Sequence, residues 1–221
     1  MNKKVAASWS GGKDCCLALY RSMKQGAEAK YLLNLVSEDL GRCCFHGVES
    51  GLLKLQAELM GIPLVQKPAR DDMREYEKDF KEGIGQLDGI QGMVFGDIYL
   101  DEHKDWVERV CRDMGIEAIE PIWNENPSRL AEEFVDAGFE AVVVSCQAEK
   151  LGRDFVGRRM DREMIRELEG LGICPCGENG EFHSLVVNGP IFKRKIELLD
   201  TEPILKDGFW KHWFLDIKKY R

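Results

Sequence analysis

Residues Val5–Asp14 read VAASWSGGKD, an apolar run that breaks at paired glycines and leads into a helical pattern. A strand that ends at such a break and passes into a helix presents unpaired backbone N–H groups at the positive end of the helix dipole. Glycines there let a polyanion approach the amides, because no side chain holds it away. The segment therefore predicts a phosphate-binding loop at the first strand-to-helix junction of an α/β fold.

Two charged side chains belong to this loop. Lys13 adds a mobile positive charge, and Asp14, in the first helical turn, could hold Mg²⁺ through water. The spacing differs from that of the Walker loop, G-x-x-x-x-G-K-[ST], which occurs nowhere in the chain. A solvated turn is the alternative, since Gly-Gly-Lys-Asp is also ordinary turn chemistry.

The loop resembles the PP-loop of the N-type ATP pyrophosphatases, whose pattern is SGGKDS. Enzymes of that class split ATP between its α and β phosphates, pass AMP to a substrate and release pyrophosphate. The resemblance implies ATP as the ligand of the loop. Cys15 stands where the pattern has its final serine, and a thiol is a weaker hydrogen-bond donor than a hydroxyl.

The composition is that of a globular protein: 221 residues, 44% apolar and 32% charged. The apolar runs are far shorter than the ~20 residues that span a bilayer, and the N-terminus lacks a signal-peptide core. We therefore expect a cytoplasmic protein with no membrane partner. The net charge of −8 argues against a broad nucleic-acid surface, because nucleic-acid affinity rests largely on phosphate neutralisation.

The eight cysteines do not predict a disulfide framework, since no secretion signal accompanies them. Cys174 and Cys176 are one residue closer than the usual zinc-binding C-x-x-C, and no second pair follows. Reduced structural thiols are the favoured interpretation. The stretch from Lys206 to Arg221 mixes lysines with aromatic residues, which favours a packing strap over a polyanion-binding tail.

Strands alternate with helices over most of the chain, which predicts right-handed crossovers and a doubly wound parallel sheet. From about Cys146 the pattern changes, so we predict a first domain over residues 1–145 and a smaller α+β subdomain over residues 146–221. The expected strands are Lys4–Trp9, Tyr31–Val36, a third that starts within Gly61–Val65, Gly92–Phe95, Ile116–Ile119 and Ala141–Val144, then Phe182–Val187 and Ile191–Leu199 in the subdomain.

Ligands of such parallel sheets bind at the carboxyl ends of the strands. Three loops are therefore expected near one crevice: Ser8–Asp14, Val36–His46 and Gly96–Ile98. The candidate nucleotide-binding residues are Ser8, Ser10, Gly11, Gly12, Lys13, Asp14, Cys15, Val36, His46, Gly96 and Asp97.

A second motif, Gly177–Ser184, reads GENGEFHS and places two carboxylates, an imidazole and a hydroxyl around two glycines. A plain hairpin turn is the alternative, because Asn-Gly is a strong hairpin signal. The density of acid and base groups favours a functional interpretation. The candidate substrate-binding residues are Gly177, Glu178, Asn179, Gly180, Glu181 and Ser184, and the candidate catalytic residues are Lys13, Asp14, Glu178, Glu181 and His183, with Asp14 also the candidate metal ligand.

The chain also contains Gly96-Asp97-Ile98, Pro121-Ile122-Trp123, Leu151-Gly152-Arg153 and Gly189-Pro190-Ile191-Phe192. With SGGKD and GENGEFHS, these runs resemble the diphthine–ammonia ligase family over nearly the whole chain. The resemblance implies a first domain with the Rossmann-like fold of the adenine nucleotide α-hydrolases (HUP type). It also implies ATP binding at Ser10, Gly11, Gly12, Lys13 and Asp14, and acceptor or catalytic contacts at Gly177, Glu178, Gly180, Glu181 and His183.

The family activity is ATP-dependent amidation of diphthine, a modified histidine on translation elongation factor 2. The implied reaction has two steps: the acceptor carboxylate attacks the α-phosphorus of ATP, and ammonia then displaces AMP from the acyl-adenylate. The chain departs from the family pattern at Cys15, Gly96-Asp97 and His183-Ser184. His46-Gly47, Asp97 and His183 look more like a bacterial branch of the family, whose acceptor would be a different carboxylate.

Two other functions stay open at this point. A tRNA-thiolating PP-loop enzyme would carry sulfur on Cys15, Cys174 or Cys176, although the acidic net charge speaks against it. A non-catalytic nucleotide sensor would need no GENGEFHS segment. Free ammonia is the expected nitrogen source, because no glutaminase domain is recognised in the sequence, and a second copy of the chain is a candidate partner.

Overall fold

A computed structural model of the chain describes residues 2–38, 42–43, 47–70, 72–207 and 211–221. The chain divides into two compact units. The first consists of Met1–Ser10 and Asp14–Asn124, and the second of Gly11–Lys13 and Glu125–Arg221. Three residues of the phosphate loop therefore belong with the second unit, and the division after Asn124 comes earlier than the boundary predicted after residue 145.

The first unit is built on a parallel sheet with the strand order β3-β2-β1-β4-β5. Because the order reverses at β1 and crossovers are right-handed, the connections run over both faces of the sheet. This confirms the predicted doubly wound α/β fold. The strands are β1 (Lys4–Ser8), β2 (Glu28–Ser37), β3 (Leu64–Ala69), β4 (Gly92–Val94) and β5 (Glu117–Ile119), and the helices are α1 (Lys13–Lys24), α2 (Ser50–Met60), α3 (Met73–Ile84) and α4 (Asp101–Asp113).

The core of the first unit explains why its strands are apolar without alternation. Val5, Ala6 and Ala7 of β1 are at most 1% exposed, because both faces of a parallel sheet are covered. On one face, α3 and α4 bring Phe80 and Trp106 into ring contact, with centroids 5.1 Å apart. Among the described residues, none of the helices is both long and apolar enough to cross a bilayer.

The second unit holds an antiparallel sheet with the order β7-β6-β9-β8. Its helices begin at side-chain caps that accept hydrogen bonds from the first turn: Asn126 for α5, followed by Pro127, and Asp161 for α6. The elements are α5 (Pro127–Asp136), β6 (Glu140–Gln147), a 3₁₀ turn (Arg153–Phe155), α6 (Arg162–Gly170), β7 (Phe182–Asn188), β8 (Leu198–Asp207) and β9 (Lys211–Tyr220).

Two strand predictions were wrong. The run Ala141–Val144 was expected in the parallel sheet, but it lies in β6, which pairs antiparallel with β7 and β9. A buried apolar strand has the same composition in either kind of sheet, so the sequence alone did not separate them. The strand expected over Ile191–Leu199 begins only at Leu198. The stretch interpreted as a packing strap contains the end of β8 and all of β9.

Candidate functional site

The phosphate loop, Ser10–Asp14, follows the strand at which the order of the parallel sheet reverses. β1 pairs with β2 on one side and with β4 on the other. In open α/β sheets the crevice at this reversal, outside the carboxyl ends of the strands, is where ligands bind. Gly11 has φ +76°, a left-handed conformation that glycine adopts without strain. The loop therefore has the position that the sequence predicted, and its first glycine adopts a conformation that other residues reach only with strain.

Gly96, just after β4, packs directly against the start of α1. A Cβ atom built on Gly96 would lie 2.6 Å from the Cys15 backbone nitrogen and 2.7 Å from the Asp14 carbonyl carbon. No side chain fits there without moving backbone. The structure thus brings Gly96 together with Asp14 and Cys15, three residues that the sequence assigned to nucleotide binding.

Thiols surround Ser10 within the first unit. The Ser10 hydroxyl lies 3.5 Å from Cys15 Sγ, and the Cys43 thiol lies 3.9 Å from the Ser10 carbonyl oxygen. Burial raises the pKa of Cys16 well above its usual value. Val36, another candidate, lies near the carboxyl end of β2 and bridges to Cys43, whereas the candidate His46 lies outside the described residues.

The carboxyl ends of β4 and β5 carry two acidic side chains. Asp97 Oδ1 is 3.0 Å from His103 Nδ1 at the start of α4. Glu120 follows β5, and its Oε1 is buried without a hydrogen-bond partner among the described residues. Burial raises the pKa of Glu120 to about 7. The positive charge of Lys104 lowers this pKa, whereas the negative charges of Asp97 and Glu108 raise it further.

The loop residues Gly11–Lys13, which belong to the second unit, are hydrogen-bonded within that unit. The Val186 N–H donates to the Gly11 carbonyl oxygen (2.9 Å), and the Lys13 N–H donates to the Ser184 hydroxyl (3.2 Å). The Lys13 ammonium donates to the Cys176 carbonyl oxygen and lies 5.0 Å from the ring centroid of Phe182. Lys13 is only 3% exposed, so its charge is held in place by groups of the GENGEFHS region.

The GENGEFHS segment, Gly177–Ser184, is a turn that leads into β7. Gly177 and Gly180 have φ +65° and +76°, and a Cβ on Gly177 would lie 2.6 Å from the Phe182 carbonyl oxygen. The buried Glu181 carboxylate accepts two hydrogen bonds from Asn179, one from its backbone N–H (3.0 Å) and one from its side-chain amide (3.1 Å). Glu181 therefore fixes the shape of the turn.

His183 stands on β7, in the same segment. Burial lowers its pKa to about 4, and the positive charges of Lys13 and His212 add to the effect. The imidazole is therefore neutral at neutral pH, with one ring nitrogen that donates and one that accepts. Glu178 is half-buried in the same turn.

Sequence reasoning did not select Glu120, Ser145 or His212. Glu120 carried a usable signal, since it is an acidic residue directly after a short apolar run and before Pro121. Ser145 and His212 carried none, because their proximity to His183 depends on strand pairing. Cys176, half of the weak zinc motif, directs its thiol to the Pro127 carbonyl oxygen (3.3 Å). Within the described ranges, no group of three or more His, Cys, Asp or Glu side chains is arranged to hold a metal ion.

Two family models match the chain. The diphthamide synthase N-terminal domain matches residues 3–118, and the diphthamide synthase C-terminal domain matches residues 126–221. A solved structure, the predicted subunit of a tRNA methyltransferase from Methanocaldococcus jannaschii, is 16% identical with a TM-score of 0.48, covering 85% of this chain and 98% of its own.

Several similar proteins are named diphthine–ammonia ligase. The zebrafish protein is 28% identical, over 98% of this chain and 95% of its own length. The rat protein is 27% identical, over 91% of this chain and 85% of its own. The fission yeast protein is 27% identical, but the match covers only 37% of its length. Together with the family models, which cover nearly every residue, these matches confirm the resemblance stated from the motifs: the chain belongs to the diphthamide synthase family.

Proposed function

We propose that this protein is an ATP-dependent ligase that adenylates a carboxylate, releases pyrophosphate, and then forms an amide with ammonia and releases AMP. The acceptor that we propose is diphthine, because the similar zebrafish and rat proteins are named diphthine–ammonia ligase. Family membership supports a ligase over the tRNA-thiolating enzyme and the nucleotide sensor.

One observation carries the proposal: within the second unit, the phosphate loop is hydrogen-bonded to the GENGEFHS segment at Ser184 and to residues that flank this segment, Cys176 and Val186. Lys13 contacts Ser184 through its N–H and Cys176 through its ammonium, and Gly11 contacts Val186. A group bound at GENGEFHS would therefore lie beside the residues that bind phosphate. Adenylation needs this proximity, because the acceptor oxygen must reach the α-phosphorus.

The first step places new negative charge on the α-phosphate and on the departing pyrophosphate. In this mechanism, the Gly11 and Gly12 backbone and the Lys13 ammonium stabilise that charge. Lys13 suits the role because it is buried and fixed, so little reorganisation is needed when the charge develops.

In the second step ammonia attacks the acyl carbon, AMP leaves, and one proton must be accepted from nitrogen. Glu181 suits this role poorly, since both carboxylate oxygens already accept hydrogen bonds from Asn179. Glu178 and His183 are the remaining proton acceptors. The pH dependence of kcat distinguishes them. The variant that removes the true proton acceptor, either Glu178→Gln or His183→Gln, should lose the rise of kcat with pH that the acceptor's ionisation causes.

Mg²⁺ belongs to the proposal as the ion that accompanies ATP. Mg²⁺ in nucleotide sites takes one or two protein carboxylates and completes its shell with phosphates and water. Asp14, a partly exposed carboxylate in the first turn of α1, fits this requirement, and Asp97 is a second candidate. When bound, the ion would neutralise phosphate charge.

The test follows the oxygen of the acceptor carboxylate. Elongation factor 2 carrying diphthine labelled with ¹⁸O in its carboxylate is incubated with ATP and ammonium chloride, and the nucleotides are analysed by mass spectrometry. We expect AMP that carries one ¹⁸O, with equimolar pyrophosphate. ADP with labelled phosphate would contradict adenylation, and unlabelled products would contradict the acceptor.

A further inference from the structure

Asn34 on β2 is a polar side chain within an apolar strand. The residue is 2% exposed, and its two neighbours in the strand are core leucines. Its side-chain nitrogen donates to the Trp9 carbonyl oxygen (2.8 Å) and to Cys43 Sγ (3.1 Å), and its oxygen accepts from the Gln66 side chain (3.2 Å). A buried amide with these partners in place is held in one orientation.

The contact between Asn34 and Trp9 lies where the chain leaves the parallel sheet. β1 ends at Ser8, and the Trp9 N–H still pairs with the Leu33 carbonyl oxygen of β2 (2.8 Å). The carbonyl of the same residue accepts instead from the Asn34 side chain. Trp9 is 2% exposed, so its carbonyl needs a partner within the protein. Asn34 therefore fixes the point from which the phosphate loop departs.

The second hydrogen bond that Asn34 donates leads to the next residue of the loop. Cys43 Sγ, which accepts this bond, lies 3.9 Å from the Ser10 carbonyl oxygen. Asn34 is thus linked to two consecutive carbonyl groups, directly to that of Trp9 and through the thiol to that of Ser10. Because a peptide unit is planar and rigid, holding these carbonyls also orients the N–H groups of Ser10 and Gly11. Backbone N–H groups are what such a loop offers to phosphate.

We propose that Asn34 is a positioning residue for ATP binding, which orients the peptide units whose N–H groups bind the phosphates. The inference rests on the proposed function, because it takes the phosphate loop as the ATP site. Asn34 acts through the backbone and not by touching the nucleotide. A loop whose N–H groups are already aligned loses less freedom when the triphosphate binds, so its affinity is higher.

Asn34→Ala removes both donated hydrogen bonds, and Gln56→Met is its matched control. Gln56 is 0% exposed and accepts a hydrogen bond from the same Trp9, but from its indole N–H (3.1 Å) and not from its backbone. We expect both variants to have a lower melting temperature than the wild type. Only Asn34→Ala should bind ATP about tenfold more weakly in calorimetry, whereas Gln56→Met should bind ATP like the wild type. A merely structural role predicts equal ATP affinities in the two variants, and that result would overturn the inference.

Gln66→Met keeps the inference testable if Asn34→Ala does not fold. The Gln66 side chain donates to the Asn34 oxygen and to the Ser50 carbonyl oxygen, at 3.2 Å in each case. The substitution leaves both bonds that Asn34 donates in place, but it removes the group that holds the other end of the amide. We therefore expect ATP to bind about threefold more weakly than in the wild type. An ATP affinity equal to that of Gln56→Met would contradict the inference.

Amide hydrogen exchange tests the loop without nucleotide and separates the two proposals. In the full-length protein we expect the Ser10 and Gly11 amides to exchange about tenfold faster in Asn34→Ala than in the wild type, and at the wild-type rate in Gln56→Met. If the wild type does not bind ATP, the proposed function fails, and unchanged exchange at both amides would then overturn the inference as well. If the wild type binds ATP and Asn34→Ala binds it equally well, the inference fails alone.

Discussion

The two units place glycine-rich segments under different physical constraints. In the first unit, Gly96 permits a close approach of backbone to backbone, because a Cβ would overlap Asp14 and Cys15. In the second unit, the GENGEFHS turn is fixed by side chains, with Glu181 holding Asn179. The first arrangement requires that residue 96 has no Cβ atom, and the second requires the polar atoms of Glu181 and Asn179. Adding a methyl group should therefore disrupt the first unit, and removing a polar atom should disrupt the second.

The largest effect is expected from Gly96→Ala. Its Cβ would lie 2.6 Å from a backbone nitrogen, so the start of α1 must shift. We expect ATP affinity, measured by calorimetry, to fall roughly 100-fold, equivalent to about 3 kcal/mol, with a loss of about 1–3 kcal/mol in unfolding free energy. Gly85→Ala is the control, because its Cβ would have only ordinary contacts at 3.5 Å or more. Equal ATP affinity in both variants would contradict the expectation that ATP binding depends on the close packing of Gly96 against the start of α1.

Lys13→Ala tests the part of the loop that belongs to the second unit. Its ammonium is buried beside the Cys176 carbonyl oxygen and the Phe182 ring, so truncation removes a positive charge that is held in one place. We expect ATP affinity to fall roughly thirtyfold, about 2 kcal/mol, which is typical for a charged hydrogen bond. Lys24→Ala, at the exposed end of α1, should bind ATP like the wild type. An unchanged ATP affinity in Lys13→Ala would indicate that Lys13 contributes to packing and not to ATP binding.

Glu181→Gln should separate stability from turnover. The amide keeps one acceptor oxygen, so one of the two bonds from Asn179 is lost, and we expect unfolding free energy to fall by about 1–2 kcal/mol. Glu178→Gln in the same turn should change stability by less than about 0.5 kcal/mol. Urea unfolding of both variants measures the difference. A stable Glu181→Gln protein with no turnover would return Glu181 to the catalytic candidates.

The sequence was sufficient where function depends on local backbone. The loop between β1 and α1, its glycines and the switch-point position of β1 follow from a buried strand, a Gly-Gly break and alternating elements. Gly96 was also selected, from its place after a predicted strand. The roles of these candidate residues stay predictions.

What the sequence did not predict depends on the pairing of distant strands and on which polar groups are already hydrogen-bonded. Ser145 meets His183 and Phe214 through β6, a strand that the periodicity assigned to the wrong sheet. Glu181 was selected as an acid–base candidate, and composition does not reveal that both of its oxygens accept hydrogen bonds from Asn179 two positions earlier. Long-range register and hydrogen-bond saturation are properties of the folded chain, and hydrophobic pattern fixes neither of them.

The smallest effect that we predict contrasts the pH dependence of the two units. Glu120 in the first unit has a pKa of about 7 because burial disfavours its charge, so the folded protein holds a proton that the unfolded chain has released between about pH 4.5 and 7. The stability that Glu120 contributes is therefore lost as pH rises through this window. His183 has the opposite sign, because its lowered pKa costs stability as pH falls from about 6.5 to about 4.

Glu120→Gln should remove the loss at high pH. We expect the variant to exceed the wild type in unfolding free energy at pH 8 by on the order of 1 kcal/mol, since partial exposure screens much of the cost of the charge. The difference should vanish near pH 4, where the wild-type carboxyl is neutral as well. Glu102→Gln, an exposed glutamate of α4, should leave the pH profile unchanged. Urea unfolding at pH 4 and pH 8 measures the difference. If the unfolding free energies of Glu120→Gln and the wild type change equally between these pH values, burial does not raise the pKa of Glu120.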